Sequence, residues 1–291
     1  MKIALVGYGN IGRAVIAAAE NAHDVEVVGI VRRAPGAVGN YTVATNIDDL
    51  PPFDVALLCT PSRMVPDWAE SLLSRGICTV DSFDIHGDIP AVRKRLDIAA
   101  KSGGAVSILS AGWDPGSDSV VRALLLAAAP QGITHTNFGP GMSMGHSVAV
   151  RAIDGVADAL SMTIPKGESL HRRMVYVQPN GSRPFADIAA AIKADPYFAH
   201  DETHVIEVSD IGALRSMAHG VNLERIGVSA DAQNQRFSFQ MAIDNPALTG
   251  QIMLSCARAA TRQTPGCYTM IELPMIDLLP GDRDTHIAKL V

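Results

Sequence analysis

The sequence predicts an α/β protein in which a doubly wound parallel sheet is followed by a second α+β domain with a mixed or antiparallel sheet. Strand-like and helix-like patterns alternate regularly through about the first 130 residues, as successive βα units require. Beyond about residue 116, strand-like segments follow one another with few helices between them. The chain has 291 residues, which exceeds one typical domain, so two domains are expected.

The first strand is predicted over residues 1–6 and leads directly into a glycine-rich turn that opens a helix ending near Glu20. A G-x-G-x-x-G turn in this position is the dinucleotide-binding fingerprint of a Rossmann-type fold. Its first glycine makes a tight turn, its second admits a pyrophosphate, and its third lets the helix pack on the strand. The N–H groups and the positive dipole of the helix N-terminus would bind the phosphates. The residues assigned to this turn are Gly7, Tyr8, Gly9, Asn10, Ile11 and Gly12.

The second strand, predicted over residues 25–31, is followed by Arg32 and Arg33 rather than by an acidic residue. An Asp or Glu at this place would bind the ribose diol of NAD, whereas paired guanidinium groups fit the 2′-phosphate of NADP. Arginines at a strand end are also often no more than solvated charges. Their position after the fingerprint leads us to interpret them as part of an NADP(H) site.

The remaining elements of the first domain continue the alternation. Strands are predicted at residues 54–59, 77–80 and 105–109, and helices at residues 64–75 and from Asp88, as the N-cap, to about Gly103. In open α/β sheets, ligands bind at the carboxyl ends of the strands. We therefore expect cofactor contacts from the loops after the third and fourth strands, at Cys59, Thr60, Pro61, Ser62, Ser82, Phe83 and Asp84.

The second domain is predicted to begin at about residue 116 and to be rich in strands. Its helices are expected near residues 185–194 and 247–262. Strands are expected around residues 133–138, 159–164, 174–178, 204–208, 225–229 and 237–243.

Composition excludes several classes of function. A formal net charge of −6 argues against nucleic acid, which favours a basic surface. The longest wholly apolar run, residues 123–129, is too short to cross a bilayer, and no signal peptide is expected before the first strand. The four cysteines form no CxxC pair and are expected as buried thiols in a reducing compartment. His200 and His204 do not form an HExxH helix, so no metal site is expected. The cysteines and the lack of a long apolar run lead us to expect a cytoplasmic protein.

Acidic residues stand where the chemistry of a dehydrogenase is expected. Asp84 lies in the loop after the fourth strand, and Trp113 and Asp114 follow the fifth. Two carboxylates at neighbouring strand ends would attract an ammonium group beside a nicotinamide. Alternatively, Asp84 and Asp114 only cap helices, since Asp before Pro or Gly is common in turns.

A second glycine-rich segment spans residues 138–147 and precedes a short predicted helix. Its backbone N–H groups could bind a carboxylate. A structural hairpin turn would use the same glycines, and the spacing alone slightly favours the hairpin.

Taken together, the segments GYGNIG, Arg32-Arg33, DSFDIHGDIP, SAGWDPG and FGPGMSMGHS-x-A-x-R resemble the meso-diaminopimelate dehydrogenase family. The resemblance runs from residue 1 to about residue 165 and returns at residues 217–220 and 244–246, continuing to the C-terminus. It implies NADP-dependent oxidative deamination at the D-centre of meso-2,6-diaminopimelate, a homodimer formed through the second domain, and a place in lysine and cell-wall precursor supply. It also implies that residues 246–291 return to the dinucleotide-binding domain of residues 1–115, leaving residues 116–245 as the substrate-binding and dimerisation domain.

The resemblance implies roles for individual residues of this chain. At the D-centre it implies Asp84, Trp113 and Asp114, with Met144 and Gly145 in the covering turn. At the distal L-centre it implies Thr163, Arg173, His219 and Asn245. Without the resemblance, Arg173 would be interpreted as a solvated strand-end charge and His219 as a loop histidine.

Two departures from longer family members bear on the substrate. The segment at residues 165–170 is short, and Phe138 stands where the resemblance implies a Trp in those members. Both lie near the expected substrate pocket, so other D-amino acids or 2-keto acids are expected as further substrates. Two other hypotheses are an NADP-dependent reductase of aldehydes or cyclic imines and a non-enzymatic NADP sensor. No His or Lys is placed as a general base, and an Asp or a bound water remains for that role.

Overall fold

The computed structural model describes residues 1–34, 36–138, 141–167, 170–214 and 219–291. The chain divides into two compact units. The first unit comprises Met1–Val120 together with Pro246–Val291, and the second comprises Val121–Asn245.

The described residues form strands and helices throughout both units. The strands are β1 (Lys2–Val6), β2 (Glu26–Val31), β3 (Val43–Ala44), β4 (Val55–Leu58), β5 (Cys78–Asp81), β6 (Val106–Ile108), β7 (Gln131–Phe138), β8 (Gly141–Ser143), β9 (Val156–Gly167), β10 (Leu170–Pro179), β11 (Glu202–Glu207), β12 (His219–Ser229), β13 (Ala232–Ile243) and β14 (Gly266–Tyr268). The helices are α1 (Asn10–Glu20), α2 (Val65–Leu73), α3 (Ile89–Gly103), α4 (Ser117–Ala128), α5 (Met144–Arg151), α6 (Phe185–Ala194), α7 (Asn245–Ala260) and α8 (Arg283–Leu290).

The first unit is built on a seven-stranded parallel sheet in the order β14-β6-β5-β4-β1-β2-β3. Its central strands are apolar and buried on both faces, as β4 shows with all four residues inaccessible to solvent. One face packs against apolar residues of α1 and α7, and the other against those of α2 and α3. The predicted doubly wound parallel sheet is confirmed.

The second unit contains two smaller sheets. In the order β11-β10-β9-β8, the first sheet is mixed, since β10 runs parallel to β11 and antiparallel to β9. The second sheet, β13-β12-β7, is antiparallel. Helix α6 contributes Ile188 and Ile192 to a core with Val175, Val177 and Phe198. The predicted mixed or antiparallel sheet of the second domain is confirmed.

Several elements differ in length from the sequence predictions. Strands β9, β10, β12 and β13 extend beyond the predicted apolar segments, because antiparallel pairing continues through polar residues outside the core. Strands β3 and β14 were not predicted, since each is only two or three residues long. Asp88 occupies the N-cap position of α3, as predicted, although its side chain makes no capping hydrogen bond. Pro90 stands in the first turn, where a proline is tolerated.

The cysteines and the lengths of the helices can be compared with the sequence predictions. All four cysteines are free, and Cys256 and Cys267 are buried. Among the described residues, no helix combines the length and apolar character needed to cross a bilayer.

Candidate active site

Two positions in the glycine-rich turn after β1 must be glycine because a side chain there would collide with the backbone. Gly7 has a φ of +101°, and a Cβ there would collide with the carbonyl oxygen of Cys59. A Cβ at Gly12 would collide with the carbonyl oxygen of Gly7. These close approaches bring the start of α1 against the ends of β1 and β4, as the fingerprint requires.

Gly9 has a different environment, because a Cβ at this position would meet nothing within 4 Å. Gly9 is also the N-cap of α1, which has neither a capping side chain nor an acidic residue in its first turn. The first helical hydrogen bond runs from Arg13 N to Gly9 O at 3.0 Å. The preceding N–H groups and the open space beside Gly9 fit a bound pyrophosphate.

Arg32 and Arg33 lie directly after β2. The Arg32 N–H donates to Ala44 O at 3.0 Å, which fixes the backbone, and the side chain is half-buried. Arg33 is exposed, with its guanidinium 3.8 Å from the Met64 sulfur. In the described part of the chain neither arginine is paired with a carboxylate, so both are available for an anionic ligand.

A buried carboxyl group joins the ends of neighbouring strands. Asp81 closes β5, and its Oδ1 accepts hydrogen bonds from Phe83 N at 2.9 Å and Ser110 N at 3.1 Å. Burial raises the pKa of this carboxyl to about 7, although the two hydrogen bonds act in the opposite direction. The sequence analysis did not include Asp81 among the site residues. Its position at the end of a buried strand, next to Val80, was the available signal for a buried polar role.

Asp84 is held by the loop that follows β4. The Ser62 hydroxyl donates to Asp84 Oδ1 at 2.6 Å, and Asp84 N donates back to Ser62 Oγ at 3.3 Å. Asp84 does not cap a helix, since the following 3₁₀ turn begins at His86 with Ile85 before it. The structure therefore brings together the predicted loop residues after β4 and β5, which are Cys59, Thr60, Pro61, Ser62, Ser82, Phe83 and Asp84.

Trp113 and Asp114 stand in a tight turn after β6. Gly112 N donates to Pro115 O at 3.2 Å, and Asp118 N donates to Trp113 O at 3.1 Å. Trp113 is buried and Asp114 is half-buried. Helix α4 begins three residues after Asp114, so Asp114 does not occupy its N-cap position. The alternative that Asp114 only caps this helix is thus removed.

Residues 141–147 of the second glycine-rich segment form a strand-to-helix junction. Strand β8 pairs with β9, which places Ser143 opposite Ser161, and α5 begins at the next residue. Ser143 Oγ lies 2.8 Å from His146 Nδ1, and Ser147 Oγ donates to Ser143 O at 2.6 Å. The hairpin alternative for the start of this segment stays a prediction. Gly139 and Pro140 lie outside the described residues, as do the side chains of Phe138 and Met144, while Gly145 is half-buried in the first turn of α5.

Thr163 and Arg173 face each other across the β9–β10 pair. The Arg173 guanidinium donates to Thr163 Oγ1 at 2.5 Å and to Asp201 Oδ2 at 2.6 Å. Its side chain is only 13% exposed, so the alternative of a solvated charge is wrong. The sequence analysis missed Asp201, because this residue is 28 positions away along the chain and its pairing depends on the sheet.

The other predicted residues of the second unit are placed by their backbone. His219 begins β12 and pairs with Ile243 of β13, but its side chain lies outside the described residues, as do Met217 and Ala218. Asn245 is the first residue of α7 and is half-buried. His204 lies in strand β11, with its Nε2 2.7 Å from Glu202 Oε1, so it shares no helical face with His200. The described residues contain no group of three side chains that could bind a metal.

Comparisons with known proteins agree over the whole chain. Residues 112–173 match the family model of the diaminopimelic acid dehydrogenase C-terminal domain. A meso-diaminopimelate D-dehydrogenase of Bacteroides fragilis is 57% identical over 296 residues, covering 100% of this chain and 99% of the relative. The structure of the Corynebacterium glutamicum DAP dehydrogenase in complex with DAP is similar, with a TM-score of 0.85, 30% identity, and 100% and 99% coverage. An engineered D-amino acid dehydrogenase bound to NADP+ gives a TM-score of 0.90 at 30% identity, with the same coverage.

Proposed function

Because the chain belongs to the meso-diaminopimelate D-dehydrogenase family, we propose that it catalyses the NADP-dependent oxidative deamination of the D-centre of meso-2,6-diaminopimelate. The products are L-2-amino-6-oxopimelate, ammonia and NADPH, and the reverse reaction is a reductive amination. The observation that carries this proposal is the 57% identity along the full length of a relative with that name. The same observation favours an amino-acid dehydrogenase over a reductase of aldehydes or cyclic imines and over an NADP sensor.

The first unit has the features that an NADP site needs. Bound NADP+ supplies the hydride acceptor for the reaction. Gly9 and the first N–H groups of α1 hold the pyrophosphate in the open space beside the glycine. Arg32 and Arg33 bind the 2′-phosphate, since neither is paired with a described carboxylate. The loops after β4 and β5 flank the nicotinamide end, as expected for the carboxyl edge of such a sheet.

Asp84 and Asp114 bind the ammonium group of the D-centre. The hydrogen bond from Ser62 orients the Asp84 carboxylate, and the hydrogen-bonded turn around Gly112 orients Asp114. Buried Trp113 supplies an apolar wall that excludes water. Before the Cα–H bond can break, the ammonium loses a proton to one of these carboxylates or to a water that they hold. Loss of the Cα hydride to the oxidised cofactor turns the amine into an imine. Water then attacks the imine carbon, and ammonia leaves as the oxo group forms.

The second unit binds the distal L-centre. Arg173 presents a partly buried guanidinium that is held by Thr163 and Asp201, which suits a substrate carboxylate. His219 and Asn245 complete this set, and Gly145 and Met144 at the start of α5 cover the substrate together with Phe138.

The direct test is an NADP+ reduction assay, followed spectrophotometrically, with the meso, LL and DD isomers of diaminopimelate and with D-alanine. NAD+ serves as the control cofactor. We expect turnover with the meso isomer and NADP+, and weaker turnover with simple D-amino acids if the short segment at residues 165–170 widens the pocket. Turnover with the LL isomer alone, or with no isomer, would overturn the proposal.

A role in lysine biosynthesis, a cytoplasmic location and a homodimer formed through the second unit belong to the same proposal. The four free cysteines support a reducing compartment. Light scattering coupled to size-exclusion chromatography tests the dimer, for which a monomeric mass would be the contrary result.

A further inference from the structure

Asp81 connects the two loops that carry the proposed amine-binding carboxylates. One of its two carboxylate oxygens, Oδ1, accepts hydrogen bonds both from Phe83 N at 2.9 Å and from Ser110 N at 3.1 Å. Phe83 directly precedes Asp84, and Ser110 begins the segment that leads to Asp114. One buried oxygen atom therefore fixes the backbone of both loops.

Building on the proposed function, we infer that Asp81 is a positioning residue for the amine site, which keeps the loops of Asp84 and Asp114 in a fixed relation. Asp81 itself acts through the backbone and makes no contact with substrate. Two carboxylates can share one ammonium group only while their loops keep this relation, so the proposed reaction depends on it.

The backbone around Asp81 supports this role. The Asp81 carbonyl oxygen accepts a hydrogen bond from Ala111 N at 2.6 Å, which adds a second connection to the loop after β6. Ser110 has a φ of +60°, in the left-handed region that non-glycine residues seldom adopt. The hydrogen bond to Asp81 Oδ1 forms in this strained conformation and helps to maintain it.

The surroundings of Asp81 show that its carboxyl group is not there for packing. The residue is fully buried, and its Oδ2 has no hydrogen-bond partner among the described residues. Burial raises the pKa of the carboxyl to about 7, so the site disfavours the charged form. An apolar side chain would fill the same space without this cost, but it could not accept the two N–H groups.

A variant series separates acceptor, charge and packing. Asp81→Ala removes the acceptor, whereas Asp81→Asn keeps an oxygen at Oδ1 and removes the charge. Thr79→Val is the matched control, because Thr79 lies two residues earlier on the same face of β5 and its hydroxyl donates to the Ser107 hydroxyl, at 3.2 Å, rather than to either loop. For each purified full-length protein, kcat and KM for meso-diaminopimelate and the Kd for NADPH are measured.

We expect Asp81→Ala to lower kcat/KM for the amino acid about 10- to 100-fold while the Kd for NADPH stays within about threefold. Asp81→Asn should recover most of the activity, and Thr79→Val should resemble the wild type. Equal losses in Asp81→Ala and Asp81→Asn, or an equal loss in Thr79→Val, would overturn the inference.

Amide hydrogen exchange on the wild-type protein provides a test that needs no variant. The Phe83 and Ser110 amides lie in loops, yet we expect protection of the kind seen in the sheet, because both bond to a buried acceptor. Exchange at the rate of exposed loop amides would overturn the inference even if Asp81→Ala fails to fold. Absence of turnover in the wild-type protein would contradict the proposed function instead, and the exchange result would still stand.

Discussion

Thr163 on β9 and Arg173 on β10 occupy directly opposed positions of an antiparallel pair, and the guanidinium donates to the threonine hydroxyl at 2.5 Å. A second bond from Arg173 Nε to Asp201 holds the plane of the group. A guanidinium has five N–H donors, so these two bonds leave donors for a further acceptor. The sheet thus preorganises the cation that we propose for the distal carboxylate of the substrate.

Arg173→Lys should raise KM for meso-diaminopimelate by about tenfold or more, because an ammonium group cannot make bidentate contact with a carboxylate. The KM for NADP+ should stay near the wild-type value. Steady-state kinetics with each substrate varied in turn measures both constants. The matched control is Arg172→Lys, since Arg172 lies on the opposite face of β10 and pairs with Glu202 at 2.6 Å. Equal effects of the two changes would contradict the role of Arg173.

Asp201→Asn should weaken selection for a second carboxylate on the substrate. The variant keeps an oxygen for Arg173 Nε but removes the charge, so the guanidinium is held less firmly. We expect kcat/KM for meso-diaminopimelate to fall severalfold, while the value for D-alanine, which lacks the distal centre, changes little. An equal fall for both substrates would show that Asp201 affects the fold rather than the distal site.

Replacing Arg32 and Arg33 together by alanine should weaken NADPH binding by about two orders of magnitude and leave NADH binding unchanged. The reason is that only NADPH carries the 2′-phosphate that we assign to this pair. Fluorescence titration with both nucleotides measures the two constants. Arg95→Ala is the control, because this exposed arginine pairs with Asp67 and Glu70 on the surface. Equal losses for NADPH and NADH would contradict the assignment.

Asp114→Asn should lower kcat by several orders of magnitude, because the neutral amide no longer stabilises the ammonium group or accepts its proton. The Kd for NADPH should stay unchanged, since Asp114 is proposed to contact only substrate. Stopped-flow and steady-state assays measure turnover, and titration measures binding. Asp88→Asn is the control, as this exposed carboxylate at the start of α3 makes no capping hydrogen bond. Near-normal turnover of Asp114→Asn would remove Asp114 from the mechanism.

Structural features that depend on neighbouring residues could be predicted from the sequence better than those that depend on contacts between distant parts of the chain. The β1–α1 turn was predictable because its glycines are required by contacts within a few residues and with the adjacent strand. The sheet class followed from the apolar run of β4, which only a sheet buried on both faces explains. Strand β14 was not predictable, since three residues carry too little pattern and their place beside β6 depends on the whole fold.

The candidate site shows the same division. Asp84 and Asp114 could be predicted as site residues because strand ends are where an α/β sheet binds ligands, and their roles stay predictions. Asp201 and the linking role of Asp81 were missed, because each depends on a partner that only the folded sheet brings near, 28 or 29 positions along the chain.

The raised pKa of Asp81 predicts how stability depends on pH. Burial raises its pKa to about 7 in the folded protein, against 3.8 for the ordinary value, so the folded state binds a proton that the unfolded state has lost. Proton binding by Asp81 therefore contributes fully to the free energy of unfolding below about pH 4. This contribution, about 4 kcal/mol, is lost as the pH rises through about 7. The thiols of Cys256 and Cys267 stay neutral throughout, because burial and, to a lesser degree, the Asp81 charge raise their pKa to about 12.

Asp81→Asn cannot titrate, so its free energy of unfolding should rise relative to the wild type between about pH 4 and about pH 7 and then stay level. Urea unfolding at several pH values measures this difference, with Thr79→Val as the control, whose difference from the wild type should be independent of pH. If the difference in free energy of unfolding between Asp81→Asn and the wild type does not change with pH, Asp81 has an ordinary pKa in the folded protein. The carboxylate would then be charged at neutral pH, and its bonds to Phe83 and Ser110 would be charge-assisted and stronger than those an Asn can make.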